Sequence, residues 1–251
     1  NYKNMQFIWF NQKFSKLSLS FLALNNGYQY ENLTENKFQV AYLQTIGTYG
    51  KWDASKFYGD FGLYAQTGEA AITNDKVDVG AYYAGFNLGY KFTNPFKAEL
   101  GFEYLSGKDQ NDTDTKVKSF TPLFGTNHGF NGLMDYFYVG NHKNSVGLQD
   151  FYTKFIYDKN KWQVTLSPHL FYSAASVYNM TTLEEQDSYL GTEIDLTATY
   201  KLDKNFVISG GVSKMFASDT MEILKGGNNN NCNNWAWVMV SFNPQLFTYK
   251  K

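Results

Sequence analysis

The stretch FKAELGFEY, Phe96–Tyr104, sets the reading of the whole chain. Side chains of an extended strand alternate between two faces. Laid out that way, Phe96, Ala98, Leu100, Phe102 and Tyr104 share one face, and Lys97, Glu99, Gly101 and Glu103 share the other. Wound as a helix, the same residues would mix aromatic and charged groups on every side. The stretch is therefore read as a strand with one apolar face and one charged face.

The same period of two recurs along most of the chain. LSLSFLAL places Leu17, Leu19, Phe21 and Ala23 opposite Ser18 and Ser20. YAGFNLGYKF gathers Tyr82, Ala84, Phe86, Leu88 and Tyr90. KWQVTLSPHL separates Trp162, Val164, Leu166 and Leu170 from Lys161, Gln163, Thr165, Ser167 and His169. LGTEIDLTATY separates Leu190, Ile194, Leu196, Ala198 and Tyr200 from Gly191, Glu193, Asp195, Thr197 and Thr199. About 11 such segments are predicted, over 4–11, 14–26, 37–49, 55–67, 76–91, 96–107, 146–158, 161–174, 188–201, 204–217 and 235–243. Most exceed the usual strand length of roughly 5–6 residues.

Composition agrees. Aromatic residues make up 19% of the 251, and strands favour Tyr, Phe and Trp. A net charge of -1 argues against nucleic acid as a partner. All 22 basic residues are Lys, which removes the planar bidentate carboxylate binder from the available chemistry. The single cysteine, Cys232, excludes an intrachain disulfide. No apolar run of about 18 residues is present to form a membrane-spanning helix, and no secretory signal is recognisable. The opening NYKNMQFIWF reads as the interior of something longer.

The connections decide what kind of β protein this is. Short ones (NQK, GKWDAS, TNP, DKNK, LDKN) alternate with long ones (NNGYQYENLTENK, TGEAAITND, 108–145, ASVYNMTTLEEQD, SDTMEILKGGNNNNCNN). Transmembrane barrels have short periplasmic turns and long extracellular loops. Their apolar face points to lipid and their polar face to the lumen. Trp52, Tyr90, Phe92, Tyr157, Trp162, Tyr200 and Phe206 flank the short turns, where a periplasmic aromatic girdle belongs. The predicted fold is all-β: an antiparallel transmembrane β-barrel in the bacterial outer membrane. Residues 1–251 form one domain. An odd strand count implies the C-terminal part of a barrel of roughly 16–18 strands that lacks its N-terminal strands. Pro168 implies a bulge in its strand.

On the predicted lumen face stand Lys97, Glu99, Glu103, Asp150, Lys154, Lys161, Glu193 and Asp195, the candidate pore lining, with Asp60 and Lys16 nearby. In the longest connection, 108–145, the alternation stops at FTPLFGTNHGFNGLMDYF. A polar external loop has no use for so many apolar residues unless it packs against something, so the loop is predicted to fold toward the lumen as a constriction. Its candidate residues are Phe120, Pro122, Phe124, Asn127, His128, Phe130 and Asp135. Asn131–Tyr138 reads as two helical turns with Leu133, Met134 and Phe137 on one side. Asp109, Asn111, Asp112 and Asp114 offer hard oxygen ligands for a calcium ion but lack the glycine and terminal glutamate of an EF-hand. No other cofactor is expected. His128, His142 and Asp135 fit no catalytic motif, so no enzyme is expected; a hydrolase would need His128 or Asp135.

The loop also carries the pattern F-x-P-L-[FY]-x-T-N-H-x-F-x-G-x-M-D, at Phe120, Pro122, Leu123, Phe124, Thr126, Asn127, His128, Phe130, Gly132, Met134 and Asp135. It resembles the alginate-export family of outer-membrane β-barrels, in its Bacteroidota branch. WAWVMVSFNP, Trp235–Pro244, resembles that family's last strand. The resemblance is clear over the C-terminal half and loose over the whole chain. It implies a barrel of about 18 strands in a Gram-negative outer membrane, partly closed by extracellular loops. The family's best-understood member exports an anionic polysaccharide through an arginine-rich lumen, and this chain has no Arg. The expected function is passive passage of small polar solutes or saccharides. The expected surroundings are outer-membrane lipid and lipopolysaccharide. The alternative is a structural or binding subunit among outer-membrane protein partners.

Overall fold

The computed structural model describes residues 2–125, 129–245 and 247. Eleven strands follow one another: β1 (Asn4–Phe14), β2 (Leu17–Asn32), β3 (Lys37–Ala54), β4 (Phe57–Ala71), β5 (Lys76–Lys91), β6 (Phe96–Leu105), β7 (Leu148–Lys159), β8 (Trp162–Tyr172), β9 (Tyr189–Lys201), β10 (Phe206–Ala217) and β11 (Asn233–Phe242). Each is hydrogen-bonded to the next in a single antiparallel sheet ordered β1 to β11. One short helix, α1 (Asp219–Lys225), and one 3₁₀ turn, Val139–Asn141, interrupt this plan.

Burial is inverted relative to a water-soluble sheet. Phe21, Ile46, Leu63, Leu100, Phe155 and Val212 project outward and are exposed. Thr45, Gln66, Asp150, His169, Glu193 and Asp195 project inward and are buried. An apolar exterior about a polar interior is the arrangement of a transmembrane barrel wall, where lipid covers the outer face. At the short-turn end the exterior carries registered aromatic pairs. Phe57 faces Tyr90 at 4.9 Å, Phe96 faces Tyr157 at 5.5 Å and Trp162 faces Tyr200 at 4.7 Å between ring centroids. Tyr90, Tyr157, Trp162 and Tyr200 are among the residues predicted for the girdle, and Phe57 and Phe96 add apolar rings beside them. The wall is curved: the β6–β7 connection touches the inner faces of strands from β4 to β10, which a flat sheet would not allow. Among the described residues β1 and β11 do not pair with each other, and both faces of each are exposed.

Several local expectations are corrected. The first two long connections are four-residue turns, 33–36 and 72–75. Their polar residues instead lengthen the preceding strands: β2 runs 16 residues to Asn32 and β4 runs 15 to Ala71, against 10 in β6. Alternating polar and aromatic side chains suit an extended strand rising into water as well as they suit a loop. Asn131–Tyr138 is not helical; Asn131, Gly132 and Asp135 take positive φ angles of 58°, 84° and 60°, which break a right-handed helix. The helix α1 lies in the last of the long connections, where no helix was predicted. Ser218 caps it, accepting the Met221 N–H at 3.2 Å while donating to the Tyr189 carbonyl at 2.6 Å.

Pro168 causes no bulge. It keeps register with Ile194 on β9, and the β7–β8 ladder skips its position without shifting. The bulge lies instead at Phe171/Tyr172, where Phe171 faces Gly191 and Tyr172 faces Tyr189. Leu190 is the extra residue between them. It turns inward and is fully buried, although strict alternation with Ile194 would have sent it to lipid.

Candidate functional site

The connection between β6 and β7, residues 106–147, folds inward and is fixed to the wall in three places. Near its start it adds a short parallel bridge to β5: the Gly80 N–H donates to the Val117 carbonyl at 2.9 Å and the Val117 N–H to that of Asp78 at 2.8 Å. The Ser106 hydroxyl donates to the Lys118 carbonyl at 2.8 Å and accepts the Tyr82 N–H at 2.9 Å.

The second attachment is Gln66 of β4. Its amide nitrogen donates to the Thr121 carbonyl at 2.8 Å and its amide oxygen accepts the Thr121 N–H at 3.1 Å. This two-way pairing reads backbone alone. It seats Phe120, which is buried against Tyr83 at 5.6 Å.

The third attachment uses the lumen acids. The Asn131 amide donates to Glu103 at 3.0 Å and to Asp150 at 3.2 Å. One oxygen of Glu193 accepts the N–H groups of Leu133 and Met134, at 2.6 and 2.9 Å. Carboxylates that accept backbone N–H groups are strong tethers. Beyond them Phe137 packs on Phe171 at 4.8 Å and joins a core with Leu105, Leu148, Leu190, Met215 and Met221. The barrel interior thus has an apolar core of its own, made from loop and wall.

His142 closes the loop. It is buried, and its Nε2 bonds to the Phe137 carbonyl at 3.0 Å. Since a carbonyl only accepts, Nε2 carries the proton. Burial pushes the imidazole down to about 4, with the nearby Lys225 ammonium acting in the same direction.

The candidate constriction residues therefore separate. Phe120 is buried and Pro122 lines an apolar cavity of about 400 Å³ between the loop and β2–β6. Phe130 borders that cavity and is partly exposed, while Phe124 points to solvent at 62% exposure. Asp135 stands at a left-handed turn. Asn127 and His128 lie outside the described residues.

The candidate lumen residues separate as well. Glu103, Asp150 and Glu193 hold the loop, as given above. Glu99 accepts the Tyr58 hydroxyl at 2.9 Å, Lys97 pairs with Asp158 at 3.1 Å, and Lys154 stands over the Tyr152 ring at 5.0 Å. Lys161 is not on the wall. It sits in the β7–β8 turn, where its ammonium donates to the Leu202 carbonyl of the neighbouring turn at 2.7 Å. Below the loop lies a second cavity of about 360 Å³ that includes Glu99, Glu103, Asp150, Lys154, His169 and Asp195. His169 belongs to this site although sequence reasoning gave it no role. It bonds through Nδ1 to Asp150 at 3.0 Å and stacks on Tyr152. Its place on the Thr165–Ser167 face was the available signal. Gln66 and Asn131 were likewise missed as functional residues, since nothing local marks them, and Gly132 was named in the loop's pattern without a role.

The acidic run at the loop's start is tied down by Lys. Lys118 pairs with Asp112 at 2.6 Å and with Asp114 at 3.4 Å; Lys118 holds the Asp112 carboxyl below its ordinary range, and the Lys116 backbone N–H, with Lys118, does the same for Asp114. Asp109 accepts the Ser176 N–H at 2.7 Å. Among the described residues no group of three His, Cys, Asp or Glu side chains is placed to hold a metal ion.

No protein-family model matches the chain, and no curated protein matches it. Among solved structures, the chain is similar to the copper transporter OprC, at a TM-score of 0.45 and 11% identity. That match covers 87% of this chain and 37% of OprC, so the chain spans little more than a third of the length of the structure it resembles.

Proposed function

We propose that this chain forms wall and constriction of an outer-membrane channel for small polar solutes or saccharides. The observation that carries this reading is the 106–147 connection, which is bonded to the inner face of the wall while the outer face stays apolar and bare. A loop so placed narrows the bore, and the cavity beneath it is lined mostly by polar side chains. Lipid and lipopolysaccharide then cover the outer face. The resemblance at Phe120–Asp135 ties the chain to the alginate-export family by ancestry. The cargo differs: with Glu99, Glu103, Asp150, Glu193 and Asp195 facing inward against Lys97 and Lys154, an anionic polysaccharide would be repelled.

The test is single-channel conductance in planar bilayers, before and after deletion of 122–138. A conductance that rises several-fold on deletion supports the reading. No conductance in either protein overturns it.

A second reading rests on the edges. β1 and β11 are the unpaired ends of the sheet among the described residues, and the second reading is that strands of a partner protein take them up. Purification in mild detergent separates the two readings: a stoichiometric hetero-complex favours the partner role.

A further inference from the structure

The cavity beneath the loop holds an imbalance that the channel reading does not use. Four carboxylates, from Glu99, Glu103, Asp150 and Asp195, face one ammonium, from Lys154, and one imidazole, from His169. Even with His169 counted as a cation, acids outnumber bases. Three of the acids have donors: the Tyr58 hydroxyl for Glu99, the Asn131 amide for Glu103, and Asn131 with His169 for Asp150.

Asp195 has none. Its side chain is 2% exposed, and neither oxygen receives a hydrogen bond from an N–H or hydroxyl group of a described residue; its close polar neighbour on β9 is the Glu193 carboxyl, a further acid. His169 Nε2 is 3.9 Å from Oδ2, beyond hydrogen-bond length. Its cross-strand neighbour Ser213 is also buried, with its hydroxyl unpartnered. Buried polar groups are ordinarily satisfied, and a buried carboxylate most of all. An orphaned acid that lines a cavity with excess negative charge marks the place of a missing cation.

We propose that this cavity binds a small organic ammonium ion whose N–H groups donate to Asp195. The assignment deepens the channel reading and rests on its view of the lumen as a solute path. A metal ion is disfavoured because no three ligands converge among the described residues. An organic cation is favoured by the ring of Tyr152, which lines the cavity and already carries the Lys154 ammonium over its face. The volume, about 360 Å³, lies within the range of small-molecule sites.

The test compares n-butylammonium chloride with its neutral isostere n-butanol, by calorimetry on the protein in detergent micelles. Saturable binding of the ammonium, at least tenfold tighter than the alcohol, is expected. Asp195→Asn should weaken it at least tenfold, while Lys97→Gln should leave it unchanged. If Asp195→Asn does not fold, Lys154→Met serves instead: removing the competing cation should tighten binding several-fold. Equal binding of amine and alcohol, no binding at all, or an unchanged affinity in a folded Asp195→Asn or Lys154→Met overturns the proposal. So does Mg²⁺ binding at this site with the same Asp195 dependence in place of the amine. Binding without conductance leaves the site standing and sinks the channel; conductance without binding does the reverse.

Discussion

Between Gly132 and Glu193 there is no room for a methyl group. A Cβ on Gly132 would stand 2.6 Å from the same Glu193 oxygen that accepts the Leu133 and Met134 N–H groups. The glycine also holds a φ of +84°, which side chains with a Cβ resist. Gly132→Ala should therefore detach the third attachment, at a local cost of about 2 kcal/mol or more. Hydrogen exchange at Leu133 and Met134 should quicken more than tenfold, and channel conductance should rise. Unchanged exchange would show that the loop does not depend on this contact.

Gln66 supports a separate prediction. Gln66→Leu keeps the size but leaves the Thr121 N–H and carbonyl without partners, at about 1–3 kcal/mol for each buried group. Trypsin cleavage after Lys116 or Lys118 should accelerate in the folded barrel. Gln66→Glu should fall between, because a carboxylate still accepts the Thr121 N–H but has nothing to donate.

Acid should loosen the loop through His142. Its pKa is depressed to about 4, so the unfolded loop binds the proton first. The stabilisation is fully present above the ordinary imidazole value of about 6.5 and is lost as pH falls through the folded value. The full loss is about 3 kcal/mol. Protease sensitivity of 106–147 should thus rise as pH drops from about 6.5 to 4. His142→Leu should flatten that part of the response; a profile identical to the parent protein's would place the acid sensitivity elsewhere.

The lipid face is testable by charge. Ile46 lies mid-strand on β3, outward and exposed, paired with Ala23 and Ala65. Ile46→Lys should cost about 2–4 kcal/mol in bilayer unfolding titrations. Thr165→Lys, on the inward face of β8, should cost less than about 1 kcal/mol, because lumen positions are wet. Equal costs would contradict the assignment of faces.

The eleven strands and their two faces were legible because alternation is local: Phe96 to Tyr104 displays it in nine residues. The inward fold of the loop was legible from its apolar content. What escaped depends on partners distant in sequence. Gln66 and Thr121 are 55 residues apart, and Leu133 and Glu193 are 60 apart. Neither side of such a pair announces the other. Leu190 escaped for another reason: one bulge residue reverses the face of everything on one side of it, and alternation alone does not place bulges. The polar ends of β2 and β4 escaped because turn-rich composition and a water-exposed strand look alike.

The loop's attachments have a mechanical consequence. Gln66 belongs to β4 and Glu193 to β9, five strands along the wall, and one connection is bonded to both. Such a connection is a tie across the curve of the wall. Lateral pressure from the bilayer that would flatten the barrel must stretch or buckle it first. The loop then governs the roundness of the bore as well as what lies within it, and losing it would change the shape of the opening along with its size.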